Sequence, residues 1–174
     1  MVKAGLVLKI ILLIFGVSVL AVVGAGTAVL VGSAPQCPSG SSATKTEKAI
    51  GDALENGGSI TITDSEATFL AQRYIKNQVQ DARICFTSGL GHASGKIKLG
   101  PFNPSFYASA SVDLSGSNPK AVDLNIKAGS LPDLPVVSAQ VANFVTNLIN
   151  DNLDTIELDK PYSANFASGS VTIN

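Results

Sequence analysis

An α+β fold is what this sequence predicts: an N-terminal transmembrane helix, then an antiparallel sheet packed against amphipathic helices. Three observations predict it. Apolar residues are concentrated from Ile10 to Val31, 17 in 22, and no charge occurs between Lys9 and Lys45. Beyond Ser59, four successive segments alternate apolar and polar residues, the period of half-buried strands with one wet face. Two other stretches space their apolar residues by three and four, the period of a helix.

The first element is the apolar run. As a helix at about 1.5 Å per residue it spans roughly 33 Å, enough to cross a hydrocarbon core of about 30 Å once. Lys3 and Lys9 precede it and no basic residue follows until Lys45. The positive-inside bias therefore puts residues 1–9 in the cytoplasm, residues 10–32 in the bilayer and the remainder outside. The competing reading is a cleaved signal peptide, whose apolar core runs about 7 to 15 residues and ends at a small-x-small site. Gly26-Thr27-Ala28 imitates such a site, but Val29-Leu30-Val31 carries the apolar run past it.

Residues 33–58 read as a tether with a short helix. Ser33 to Thr46 (SAPQCPSGSSATKT) is rich in Ser, Pro and Gly, the composition of a linker. Thr46 to Asn56 places Ile50, Ala53 and Leu54 at helical spacing and ends at Gly57-Gly58. Residues 59–174 form the expected folded domain. It opens with a strand at Ser59 to Thr63 and a capping box, Thr63-Asp64-Ser65-Glu66, at the start of a helix from about Ser65 to Gln78. Ala67, Leu70, Ala71, Tyr74 and Ile75 make that helix's apolar stripe.

The alternating segments follow: Arg83 to Thr87, Lys96 to Leu99, Phe106 to Ser115 and Ala121 to Ala128. In the third, Phe106, Ala108, Ala110, Val112 and Leu114 share a face. In the fourth, Val122, Leu124, Ile126 and Ala128 do. The stretch from Gly89 to Gly95 reads as a turn carrying an exposed His92. A second long helix, Pro135 to about Leu153, carries Val137, Val141, Phe144, Val145, Leu148 and Ile149 in one stripe. Strands near Ile156 and at Ser170 to Asn174 close the chain.

Composition limits the chemistry. From Ser33 onward there are 10 Lys and Arg against 13 Asp and Glu, a net charge of −3 with no basic cluster, so no nucleic-acid partner is expected. One His and two Cys make a metal centre of three or four suitable ligands implausible. The Gly-rich segment around His92 leads into a strand, so it lacks the helix that a phosphate loop must open. No G-x-S-x-G elbow surrounds any Ser. Asn150 to Asp154 begins like a calcium loop, but Thr155 stands where Gly is needed and Pro161 where Glu is. The expectation is therefore no catalytic residue, no cofactor and no metal.

The strand, Thr63-Asp64-Ser65-Glu66 and helix opening, the meander of alternating strands, the Leu131-Pro132-Asp133-Leu134-Pro135 run before a long apolar helix, and the closing Gly169-Ser170-Val171-Thr172-Ile173 resemble the YpmS-like membrane-anchored proteins. Those are similar to the LmeA-like, TULIP-like (tubular lipid-binding) group. The resemblance covers Ser59 to Asn174 and the anchor. It implies a TULIP-like half-barrel, a curved sheet wrapped around helices with an apolar groove for acyl chains. Leu70, Tyr74, Ile97, Leu99, Ala108, Ala110, Val112, Ile126, Val141, Phe144, Val145 and Leu148 are the candidate lining. The residues themselves allow ordinary core packing at the same positions, since small side chains such as Ala108 and Ala110 admit either a ligand or a close helix.

Cys37 in the tether and Cys85 on the wet side of its strand are a candidate disulfide, permitted in an oxidising compartment; two unrelated thiols are the alternative. The functional expectation is a single-pass, extracytoplasmic protein of the cell membrane that binds or shields lipid. A non-catalytic envelope module with a packed core, meeting a protein partner, is the other reading.

Overall fold

The computed structural model describes residues 28–30, 34–45, 47–75, 77, 79–97, 103–129, 158 and 160–174. Ten elements occur among them: β1 (Ala28–Leu30), α1 (Glu47–Glu55), β2 (Ile60–Thr63), α2 (Asp64–Tyr74), β3 (Val79–Thr87), β4 (Leu90–Ile97), β5 (Ser105–Asp113), β6 (Lys120–Gly129), β7 (Ala164–Ala167) and β8 (Ser170–Ile173). The strands form two sheets, a five-stranded one in the order β1-β6-β5-β4-β3 and a three-stranded one in the order β2-β8-β7. The fold is α+β with antiparallel sheets, apart from β1, which runs parallel to β6.

That parallel strand corrects the reading of the N-terminus. Most of the expected span, residues 10–27 and 31–32, lies outside the described residues. Ala28–Leu30, however, is sheet backbone registered against Lys127–Gly129 and cannot also be the last turn of a membrane helix. No helix among the described residues is long and apolar enough to cross a membrane. The second expected helix, Pro135 to Leu153, and the strand near Ile156 also lie outside the described residues. The closing hairpin pairs β8 with Ala164–Ala167, a short segment whose alternation was too brief to read.

The strands extend beyond or shift from their expected limits for identifiable reasons. Gly89, at φ 81°, makes the turn between β3 and β4 with Ser88, so β4 starts at Leu90 and the glycines after it are strand residues. Gly95 is one of them, and a Cβ there would lie 2.5 Å from Val79 Cγ1 and 3.3 Å from Phe106 Cε1. Asp123 sits at φ 56° in a bulge that shifts the β5–β6 register between Ser109 and Ser111. The extra residue reverses the phase of the first part of β6. Ala121 therefore turns inward, while Val122 is 42% exposed instead of sharing the inner face with Ile126. A matching bulge lies between Gln80 and Arg83, with Asp81 at φ 52°.

Helix α2 begins as the sequence indicates. Thr63 accepts from Glu66 N–H and the Glu66 carboxylate accepts from Thr63 N–H, a complete capping box. The helix ends at Tyr74, short of Gln78, because Ile75 is its C-cap and accepts from Val79 N–H as β3 starts. Its apolar stripe, Ala67, Leu70 and Ala71, joins Ile50 and Leu54 of α1, Ile60 and Ile62 of β2, Val171 and Ile173 of β8, and the inner face of the larger sheet in one core. The folded unit thus includes α1, expected in the tether.

A second row of α2 side chains serves the edge of the sheet. β3 is an edge strand, with peptide groups on one side lacking a strand partner. Asp64 Oδ1 accepts from Phe86 N–H at 2.9 Å. Thr68 Oγ1 accepts from Ile84 N–H at 2.9 Å and donates to the Ile84 carbonyl at 3.1 Å. Gln72 Nε2 donates to the Ala82 carbonyl at 3.0 Å. Positions four apart on a helix share a face, so Asp64, Thr68 and Gln72 replace a neighbouring strand for alternate residues of β3. The smaller sheet docks beside this edge through its hairpin, where Gly89 N–H donates to the Phe166 carbonyl and Gly169 N–H to the Phe86 carbonyl.

Thr68→Val keeps the shape of a fully buried side chain while orphaning both polar groups of Ile84. The expected loss is about 2 kcal/mol in a denaturant melt, and Thr68→Ser should recover most of it.

Candidate functional site

The outer face of the larger sheet, expected to be wet, is crossed by the N-terminal segment. Ala34 N–H donates to Ser105 Oγ of β5 at 3.1 Å, and Cys37 N–H donates to Ser94 Oγ of β4 at 3.0 Å. Cys37 is joined to Cys85 of β3 by a disulfide with a Cα–Cα distance of 5.5 Å. Arg83 Nη1 donates to the Cys37 carbonyl at 3.3 Å. The chain then reaches the first turn of α2, where Ser42 N–H donates to the Ser65 carbonyl and Lys45 Nζ contacts both Glu66 oxygens at 2.8 and 2.9 Å. Starting as β1 on the β6 edge, this segment therefore crosses β5, β4 and β3 in turn and finishes on α2. It is a strap and not a free tether. Its composition reads as a linker because the amides of Ala34, Cys37 and Ser42 make part of its contacts, and these are independent of side-chain type.

Under the strap the face of the sheet is polar but dry. Ser94 and Ser105 are buried, and Cys85 is only 9% exposed. His92, read as an exposed turn residue, is 7% exposed in β4, opposite Cys85 in register. Its Nε2 is 2.7 Å from Thr87 Oγ1, its Nδ1 is 2.9 Å from the Tyr107 hydroxyl, and its ring stacks on Tyr107. Burial pushes the imidazole below its ordinary pKa, and the nearby Asp64 carboxylate pulls it partly back. Burial pushes the Tyr107 phenol up. The result is a neutral imidazole with both nitrogens occupied by hydroxyls. That arrangement holds β3, β4 and β5 together on this face and leaves no vacant nitrogen for a substrate or metal. Among the described residues no group of three or more His, Cys, Asp or Glu is placed to hold a metal ion.

The candidate groove residues divide into core and undescribed positions. Leu70, Ile97, Ala108, Ala110 and Ile126 are at most 2% exposed and belong to the one core, with Val112 half-buried against it. Tyr74 ends α2, but its side chain lies outside the described residues, as do Leu99, Val141, Phe144, Val145 and Leu148. An open cavity of about 460 Å³ occurs at the β3 bulge, lined by Gln72, Val79, Gln80, Asp81 and Ala82. None of the candidate groove residues lines it, and its polar rim is unlike an acyl-chain site.

No family model, no curated protein and no solved structure matches this chain.

The far end of the strap depends on Glu66. Burial raises its pKa, but the ammonium of Lys45, the Thr44 hydroxyl and the hydroxyl and amide of Thr63 together outweigh that and hold the carboxyl at about 2, against 4.5 for the free group. A depressed carboxyl stabilises the fold above its unfolded pKa and loses that contribution as pH falls toward its folded one. Glu66→Gln should therefore cost about 2 kcal/mol near neutrality. In paired acid titrations of stability, its difference from the native chain should shrink between about pH 4.5 and pH 2.

Proposed function

We propose that this chain is a membrane-anchored, extracytoplasmic module of the cell envelope with a structural or protein-binding role. The observation that carries the reading is the Cys37–Cys85 disulfide. Structural disulfides persist in oxidising compartments, and the positive-inside bias independently assigns the same side of a membrane to everything after the apolar run. Residues 10–27 alone hold 13 apolar residues in 18. As a helix they would span about 27 Å, so the strand at Ala28–Leu30 leaves enough chain for an anchor.

The choice of a packed module over a lipid carrier rests on Leu70, Ile97, Ala108, Ala110 and Ile126, which are core residues in contact with other core residues. An acyl chain needs an open apolar channel, and these positions offer side-chain packing in its place. The strap adds a mechanical property suited to an envelope module. β1, Ala34 and Cys37 are each bonded to the sheet, so a domain anchored by residues 10–27 would be held close to the membrane.

The test is to express the full chain in cells and recover it from the membrane fraction after alkaline carbonate washing. The expected result is a membrane-retained protein with no free thiol, digestible by protease added outside, and with no bound lipid when released in detergent for native mass spectrometry. A soluble cytoplasmic pool with two free thiols would overturn the reading. One lipid per chain would return the lipid-carrier alternative.

A further inference from the structure

The strap has two unlike ends. Among the described residues from Ala34 to Lys45, only Ala34 and Cys37 are buried, while Pro35, Gln36, Pro38, Ser39, Gly40 and Ser41 are exposed. Neither Ala34, Cys37 nor Cys85 belongs to the hydrophobic core, which closes on α1, α2 and the inner sheet faces without them. Residues 34–41 are therefore held by neutral hydrogen bonds to Ser105 and Ser94, the Arg83 contact to the Cys37 carbonyl, and the disulfide. Residues 42–45 are held differently, by the Ser42 to Ser65 backbone bond and by Lys45 and Thr44 on the buried Glu66 carboxylate.

We infer that the Cys37–Cys85 disulfide is a redox latch: its reduction by a dithiol frees residues 34–41 from the sheet between two points that stay fixed, β1 on β6 and Ser42–Lys45 on α2, while the rest of the domain stays folded. The reaction is a two-electron exchange. A dithiol thiolate attacks one protein sulfur to give a mixed disulfide, and its second thiol then closes the reductant's own disulfide, leaving two protein thiols. The disulfide itself is buried, so attack requires local opening of the strap. The exposed residues on both sides of Cys37 make that opening far less costly than global unfolding. Once open, the strap uncovers the Ser94 and Ser105 hydroxyls and a Cys85 thiol opposite His92.

The latch and the location of the chain are separate matters, because the experiment is done on purified full chain in detergent. Amide hydrogen exchange is followed before and after treatment with dithiothreitol, with alkylation counting the thiols. The latch predicts that, on reduction, the amides of Ala34 and Cys37 exchange roughly 100-fold faster or more, as expected when a segment held by few bonds becomes free to open locally. The amides of Ser42 and of β4 and β5 should keep their protection. A Cys37→Ala, Cys85→Ala double variant should show the same pattern without reductant, and adding Glu66→Gln should release Ser42 as well. Simultaneous loss of protection throughout β4 and β5 would overturn the inference, as would a strap still protected with both thiols alkylated, or a disulfide that the dithiol reaches only in denaturant.

Discussion

The unpaired edge of β3 is the constraint on which the rest of this architecture depends. A strand at the end of a sheet presents peptide groups that must find partners or stay in water, and here they lie against the core. The side chains of Asp64, Thr68 and Gln72 meet them from one face of α2. This requirement fixes the position of α2 along β3, because Thr68 takes both polar groups of Ile84 at once. The capping box then fixes where α2 begins, and Glu66, a member of that box, becomes the point to which the strap is fastened. The opposite edge, on β6, is partly occupied by β1. One continuous N-terminal segment thus touches both margins of the sheet and crosses the face between them.

This arrangement explains why the polar side of the sheet is not a wet face. In an ordinary antiparallel sheet with one covered side, residues such as Ser94, Ser105 and His92 would look into solvent. Here extended backbone lies across them, and hydroxyls on the sheet accept its amides. His92 is satisfied by Thr87 and Tyr107 on the flanking strands. A buried imidazole with both nitrogens engaged rigidifies the three strands it touches. The chemistry of the face is that of adhesion between chain segments.

Much of the local structure was legible because it follows from short-range rules. The box at Thr63 to Glu66, the stripe of Ala67, Leu70 and Ala71, and the alternation from Phe106 to Leu114 are all set within a few residues, and each stands in the structure. What was hidden depended on long-range pairing. The phase reversal at Val122 needs the bulge at Asp123, which is set by pairing with β5 and not by the local alternation. His92 is buried on the face the strap crosses, and the strap meets Ser94 and Ser105 through amides that every sequence possesses. One signal was present and unread: Asp64, Thr68 and Gln72 recur every four residues beside the apolar stripe, a hydrogen-bonding stripe whose central Thr is buried. Ala108 and Ala110, where the sequence admits either a ligand or close packing, are buried among other core residues.

The most direct test of the account is the exchange rate of the Ile84 and Phe86 amides in the native protein. If α2 takes the place of a strand along β3, both should be as slow as the paired amides inside β4 and β5, opening only with global unfolding. Exchange at the pace of an exposed sheet edge, in a chain whose β4 and β5 remain protected, would contradict it.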